Sequence, residues 1–395
     1  MPRDEALKVQ PDAGRVKFPG RLRRFALTVI PVLAVFHLYI GWRLLPDMPF
    51  DWFGVALSIL ALCVSTFLMP LGMLARFLGL SQPLADRLSW LSALNMGLFS
   101  SLLVLTMMRD VFLLLPGTHA LAASSALMVF FGALLFSLVG YFNARRVARV
   151  VHVDIPLSGL PEALVGFSIA QISDIHVSST IKADYVRAIV DRVNGLGADV
   201  IAITGDVVDG RVHHLGADAA PLSHLRSRHG SFVVTGNHEY YSGAAEWVRE
   251  FRRLGLHPLM NEHVIIDYDG ALLMLAGVTD YSAQAFDPEQ RSDPHAARAG
   301  GPDDILKILL AHQPRSAVEA NAAGFDLQLS GHTHGGQFWP WNLFVTLQQP
   351  FTAGLHRMGK LWVYTSRGTG YWGPPKRFGA PSEITLLRLV PASGQ

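Results

Sequence analysis

Asp174 with His176, Asp206, Asn237 with His238, His312, and His332 with His334 form an ordered series over the last 220 or so positions of the 395-residue chain. Each is an oxygen or nitrogen donor of the kind that binds a hard or borderline metal ion, and none is a sulfur ligand. They fall into five short clusters. Each cluster follows an apolar run rich in β-branched residues: GFSIAQISDIH, ADVIAITGD, GSFVVTGNHE, KILLAHQ and FDLQLSGHTH. Such runs predict buried strands. Donors placed where strands end can converge on one edge of a sheet, which is what a two-metal hydrolytic site needs.

The spacing inside each cluster adds detail. Asp174 and His176 are two apart, so at an extended strand end they would point to the same side and reach one ion. His332 and His334 repeat that spacing, and Gly331, Gly335 and Gly336 around them allow a tight, close-approaching turn. Asp206 can bridge two cations with its two oxygens, Asn237 offers a neutral carbonyl oxygen, and His312 offers another imidazole. Two divalent cations and two ligating carboxylates leave a charge of about +2, suited to a phosphate oxygen as a further ligand.

The motifs D-x-H, G-D, G-N-H-E, a lone His and G-H-T-H, in that order, resemble the pattern of the calcineurin-like metallophosphoesterase superfamily. The likeness covers about residues 165–390. Within the superfamily, GHTHGGQ and the later RGTGYWGPPKRFGAPSEITLL are similar to the membrane-linked YkuE/YaeI type. The resemblance implies that Asp174, His176, Asp206 and His334 hold one metal, and that Asp206, Asn237, His312 and His332 hold the other. His238 would contact the phosphate and act as proton donor, with Glu239 orienting it. The implied cofactors are two divalent metal ions, drawn from Mn²⁺, Fe and Zn²⁺. The implied reaction is in-line attack of a metal-bound hydroxide on phosphorus, cleaving a phosphodiester or pyrophosphate bond.

The elements that must position these residues alternate strand, donor-bearing turn and helix from about Gly166, an α/β layered domain with ligands at strand ends. The resemblance makes it a layered β-sandwich flanked by helices. Apolar spacing predicts helices over 183–193, 244–254 and 314–323, ended by Gly195, Gly255 and Gly324. His263 to Val278 predicts a hairpin around Asp269-Gly270, and further strands are expected between Leu361 and Leu389. Asp287 to Pro302 has no periodicity and is expected to be a surface loop.

Upstream the composition changes. The whole chain is 50% hydrophobic and only 16% charged, and the apolar excess gathers in four N-terminal stretches free of Asp, Glu, Lys and Arg. These are Phe25 to Trp42, Trp52 to Ala75, Leu88 to Met108 and Val111 to Ala144, the last with a spanning part near Ala120 to Tyr141. A membrane span needs roughly 20 such residues, so an all-α four-helix transmembrane region is expected. The expected organisation is a mobile cytoplasmic tail (1–24), transmembrane helices (25–143), a linker (144–160) and a catalytic domain (161–395).

Arg21, Arg23 and Arg24, then Arg76 and Arg87, then Arg145, Arg146 and Arg149 flank the spans on one side, against only Arg43 and Arg109 on the other. That asymmetry places both termini and the catalytic domain on the cytoplasmic face. The Arg23-Arg24 pair is also the pattern of a twin-arginine export signal, but three further spans follow it. Cys63, the only cysteine, excludes an intramolecular disulfide and a thiolate metal site. A net charge of +2, largely from the juxtamembrane arginines, gives no nucleic-acid footprint, and no nucleic-acid partner is expected.

The expected partners are the membrane and a phosphoester substrate, lipid-linked if the site lies close to the bilayer. A transport or signalling protein with a ligand-binding, non-catalytic phosphoesterase-like domain is the alternative, against which the full ligand series argues. His213, His214, His229, His257, His263, His295 and His356 lack partner spacing. His37, His119 and Asn95 fall in or beside the spans, where hydrogen bonding within the bundle accounts for them. Phe338, Trp339, Trp341, Phe344 and Phe351 follow the Gly-His-Thr-His turn either as core or as an apolar lip touching lipid.

Overall fold

The computed structural model describes residues 19–75, 78 and 80–392, with side chains from residue 27 onward. Much of the expected tail, and the side chains of Arg21, Arg23, Arg24 and Arg76, lie outside these described residues. Helix α1 (Pro19–Leu44) begins before the expected end of the tail. It is followed by α2 (Trp52–Leu74), α3 (Gln82–Leu113) and α4 (Ala122–Arg145). All four are long and apolar enough to cross a membrane.

These helices pack through an apolar cluster that includes Ile40, Leu44, Val129, Leu62 and Phe99, with small residues where two backbones come close. Gly72 of α2 has no room for a Cβ, which would lie 2.0 Å from Cβ of Ser92 on α3. Polar groups within the bundle are partnered: His37 Nε2 meets Ser65 Oγ at 2.7 Å and Asn95 donates to Ser65 O. At one end Arg43 pairs with Asp110 at 2.8 Å, and buried Arg109 pairs with Asp47.

Strand β1 (Arg149–Leu157) follows almost at once, inside the stretch expected to be a linker. Its VVHV alternation belongs to a sheet edge: it runs parallel to the last strand, with Arg149 opposite Glu383 and Leu157 opposite Pro391. The chain then forms β2 (Ser168–Ile172), α5 (Ala183–Asn194), β3 (Val200–Thr204), α6 (Val212–Ala219), β4 (Ser231–Val234), α7 (Asn237–Ser242), α8 (Ala244–Arg253) and β5 (His257–Pro258). The second half has β6 (Glu262–Tyr268), β7 (Ala271–Gly277), α9 (Pro294–Arg298), β8 (Leu306–Leu310), α10 (Ala317–Ala322), β9 (Leu327–Ser330), β10 (Gly354–Met358), β11 (Leu361–Thr365) and β12 (Glu383–Pro391).

Two six-stranded sheets result, ordered β1-β12-β2-β3-β4-β5 and β10-β11-β9-β8-β7-β6. Strict alternation builds the layers. In β3, Val200 and Ala202 face the core between the sheets, while Ile201 and Ile203 face α5, α6 and α8. The outer face of the second sheet is covered by α9 and α10 through Met274, Ala297, Ala320 and Phe325. The fold is a β-sandwich with helices on both outer faces.

The hairpin forms as expected, with Tyr268 opposite Ala271. The expected loop at 287–302 instead carries a short 3-10 turn and α9, whose Asp293 cap accepts from Ala296 N. A five-residue helix is too short to show a period, which is why its sequence reads as loop.

Candidate metal centre

The central strands β2, β3 and β4 run parallel in one sheet, and β8 and β9 run parallel in the other. Their C-terminal ends share one edge of the sandwich. Gln171 at the end of β2 donates to Ser330 O at the end of β9, and His312 Nδ1 bonds Thr204 O at the end of β3, both across the sheets. The five donor clusters are therefore brought together by strand ends.

The local cause is not the extended geometry expected at Asp174-His176. Both residues have left-handed backbones with φ of 54°, as do Asp206 (51°), His332 (71°) and His334 (53°). Five of the seven candidate ligands thus hold a conformation that costs non-glycine residues energy, a clustering associated with functional sites. The chain turns sharply at each one, so convergence comes from the turns and not from strand alternation.

Donor atoms of Asp174, His176 and His334 lie within 4.8 Å of one another, as do those of Asp206, His312 and His332. His176 Nε2 is 3.0 Å from His334 Nε2, and His312 Nε2 is 3.2 Å from both His332 Nδ1 and Asp206 Oδ2. Asn237, next in sequence to the Gly236 that packs against Asp206, is buried, and its Oδ1 has no hydrogen-bond partner. A buried orphan carbonyl and facing imidazole nitrogens are stabilised by a cation. The donor set, N and O only, fits hard or borderline divalent ions.

Surrounding groups fix these ligands. His176 Nδ1 bonds Asp209 at 2.7 Å and His312 Nδ1 bonds a carbonyl, which leaves both Nε2 atoms facing inward. Asp174 accepts from His332 N and from Ser173 Oγ; Asp206 Oδ1 accepts from His238 N at 2.9 Å. Glu239, expected to orient His238, does something else. Its buried carboxylate accepts from the backbone amides of Asp206, Val207, Val208 and Gly236 and so ties the β3 loop to the β4 loop. The group that holds His238 is Asp209, 2.7 Å from its Nδ1.

The electrostatics divide the imidazoles. Burial, helped by His312, lowers His332 to about 3; burial and then Arg377 hold His334 well below its ordinary value. Both are pushed toward the neutral form; at His334, where Arg377 donates to Nδ1, a neutral ring carries its proton on Nε2. Burial also opposes charge on His312 and His238, but Asp206 outweighs it at His312, and Asp209 with Asp206 lifts His238 to about 9. Burial raises Asp174. At Asp206 burial is overcome chiefly by His312, leaving the carboxyl well below the usual range, and His176 and His238 bring Asp209 to about 2 despite its burial.

His238 lies at the mouth, with Tyr241 and Trp372 edge-on at 5.2 and 5.7 Å between ring centres. Its donors also come within 4.8 Å of those of His176 and Asp206. Two functional residues were missed from sequence. Asp209 sits three positions after Asp206 in GDVVDG, a second carboxylate on the same turn. Arg377, inside the KRF segment, donates to His334 Nδ1 at 2.9 Å. The aromatic set divides: Phe338 is buried, while Trp341 and Phe344 are exposed.

A sandwich of two mixed sheets with a cluster of Asp, Asn and His at its C-terminal strand edge defines a metallophosphoesterase type of site. The family model for calcineurin-like phosphoesterases matches residues 167–336. The chain is 40% identical over 289 residues to a Bos taurus transmembrane protein with metallophosphoesterase domain, covering 70% of this chain and 65% of that one. A Danio rerio protein of the same name is 37% identical, covering 65% of this chain and 61% of its own. An uncharacterised Aquifex aeolicus metallophosphoesterase is 31% identical over 61% of this chain and 91% of its own length. The chain thus spans less than two thirds of the length of the Bos taurus and Danio rerio relatives. Among solved structures, a dimetal phosphatase from Danio rerio aligns with a TM-score of 0.33 at 12% identity, over 57% of this chain and 99% of that one. The chain belongs to the calcineurin-like metallophosphoesterase family. Its four apolar helices and its transmembrane relatives make it a membrane-associated member.

Proposed function

We propose that this chain is a membrane-anchored dimetal phosphoesterase that hydrolyses phosphodiester or pyrophosphate bonds, with lipid-linked substrates as its preferred class. The observation that carries the reading is the convergence of five loops from two sheets on one edge of the sandwich, where the Asp and His donors lie within 4.8 Å of one another in three overlapping groups and Asn237 Oδ1, on one of those loops, is buried without a partner.

In this reading Asp174, His176, Asp206 and His334 hold one divalent cation, and Asp206, Asn237, His312 and His332 hold the second, with Asp206 shared. When bound, the cations supply an activated water and neutralise charge on the reacting phosphoryl group. His238, held by Asp209, donates a proton to the leaving oxygen. Asp209 keeps the imidazole oriented and favours its charged form. Tyr241 and Trp372 give the mouth two aromatic faces that contact the group attached to the phosphate.

The helices α1 to α4 act as four membrane spans, with the catalytic part on the cytoplasmic side. Arg87, Arg145, Arg146 and Arg149 support that orientation. Residues 25–143 form the transmembrane region, and the catalytic domain extends back from 161 to take in β1, whose pairing with β12 leaves few residues for a linker.

The test uses the full-length protein in detergent, loaded with Mn²⁺ and given an activated aryl phosphodiester. Turnover is expected, and chelator or Asp206→Asn should abolish it. Absence of turnover with Mn²⁺, Fe²⁺ and Zn²⁺ alike would leave only a binding domain.

A further inference from the structure

The segment that follows the Gly-His-Thr-His turn and the PPKRF segment both rest against the flanks of α3 and α4, from Asn143 near the end of α4 up to Phe136 and Ser101. Lys376 Nζ donates to Gly97 O at 2.9 Å and to Ser101 Oγ on α3. Arg377 N donates to Gly140 O on α4, and Asn143 Nδ2 donates to Arg377 O. Phe378 stacks on Phe136 of α4 at 4.4 Å, and Trp341 Nε1 donates to Ser100 Oγ at 3.0 Å. Gly140 is shaped for this: a Cβ there would lie 2.6 Å from Cγ of Lys376.

The depth of these contacts follows from helix geometry. Trp90 and Tyr141 meet edge-on, with Arg145 over the Trp90 ring, an aromatic and basic belt of the kind found at a membrane interface. Asp110, paired with Arg43 beside exposed Trp42, marks the opposite end. Trp90 to Asp110 is about 30 Å at 1.5 Å per residue, the thickness of a hydrocarbon core. Gly97 then lies about 10 Å below the belt and Ser100 about 15 Å; on α4, Phe136 lies about 13 Å from Arg145. An ordinary tilt of about 20° shortens these by less than a tenth.

The chain around Trp341 has no charged residue of its own from Gly335 to Leu355, and Arg315 reaches it only at its far end, donating to Gln348 O. Its two 3-10 turns, Trp341–Leu343 and Val345–Leu347, expose Trp341, Leu343, Phe344 and Leu347, the last at 80%. Four large apolar side chains in a row of seven are poorly placed in water. Non-helical backbone is tolerated at such depth only where protein satisfies it, as α3 and α4 do for the Lys376 segment. Trp372, two residues before Pro374, links this docked edge to His238.

We propose that the Trp341–Leu347 segment is immersed in the bilayer leaflet on the catalytic side, with Leu343, Phe344 and Leu347 among acyl chains, so that the mouth beside His238 opens at headgroup level to phosphoesters carried by lipids. The occupant of this apolar surface is the acyl layer itself, because the surface continues the lipid-facing flank of α3 and α4. The lipid phosphoester rests on the phosphoesterase reading; the immersion does not.

The experiment places a nitroxide at Phe344→Cys or Leu347→Cys in a Cys63→Ser background. The full-length protein is reconstituted in phosphatidylcholine–phosphatidylglycerol vesicles. Val318→Cys, 63% exposed on α10, serves as the aqueous reference. Relaxation by oxygen is expected to exceed relaxation by a water-soluble nickel chelate several-fold at 344 and 347, and the order to reverse at 318. Labels at 344 and 347 that behave like 318 overturn the proposal, whatever the activity. Each labelled protein is also assayed with Mn²⁺ on a soluble aryl phosphodiester. Immersed labels with turnover uphold the proposal. Immersed labels without turnover uphold the immersion and overturn the phosphoesterase reading, and with it the lipid phosphoester.

Discussion

Arg377 donates to Nδ1 of His334 at 2.9 Å, so the last candidate ligand is held from behind by a cation. The same guanidinium is 1% exposed and also serves the carbonyls of His334, Arg367 and Gly370, while the Arg377 amide reaches Gly140 O on α4. One residue therefore joins the helix bundle to the metal centre.

Replacing it should disturb both. Arg377→Gln is expected to strand at least two buried carbonyls, at about 1–3 kcal/mol each, and to increase metal retention, because a Gln oxygen can accept from Nδ1–H and free Nε2 of His334 to ligate, as the Arg377 donor cannot. Thermal unfolding in detergent and metal content after dialysis measure the two effects. Unchanged metal retention would make Arg377 a purely structural residue.

His238 and Asp209 should separate by what they leave intact. His238→Asn is expected to lower kcat by about 10²–10⁴-fold with metal content near that of the wild type. Asp209→Asn, which loosens both His176 and His238, should lower kcat and metal content together. Loss of metal in His238→Asn would instead make that imidazole a ligand, as its closeness to His176 and Asp206 allows.

Much of this site was legible because its chemistry is local in sequence: each donor cluster directly follows an apolar strand, and the strands are short and buried. The helices were legible for the same reason, through the period of Tyr185, Val186, Ile189 and Val193. What sequence could not give was contact between distant segments. Asp209 has no ligand spacing in sequence, and only the fold sets it between two imidazoles. The pairing of β1 with β12, across more than 200 residues, left Arg149 to Leu157 reading as a connector. Glu239 is the sequence neighbour of His238, but its length lets it reach back to four amides on two loops. The left-handed turns at Asp174 and His176 also have no signature in an Asp-x-His spacing.

Two glycines measure how tightly the loops are packed. A Cβ on Gly236 would lie 2.2 Å from Asp206 Oδ1, and one on Gly331 would lie 2.3 Å from Asp174 Oδ2. Gly236→Ala and Gly331→Ala should each displace the carboxylate, costing about 1–3 kcal/mol and most of the bound metal. Far-UV circular dichroism should stay unchanged. Full metal content in both variants would show that these carboxylates are not ligands.

Cation binding should contribute measurably to stability, because it satisfies Asn237 Oδ1 and relieves the facing nitrogens of His176 and His334. A ligand at about 100 times its Kd stabilises the native state by about 2.7 kcal/mol. For a catalytic portion of this size that corresponds to a rise in Tm of about 5–10 °C. Scanning calorimetry of the full-length protein in detergent, with chelator and then with added Mn²⁺, reads this directly, and Asp206→Asn should remove the shift. The two carboxylates and four imidazoles are then held together by the ions they surround. A Tm indifferent to every divalent cation would mean that hydrogen bonds from Asp209, Glu239 and Arg377 hold the cluster unaided.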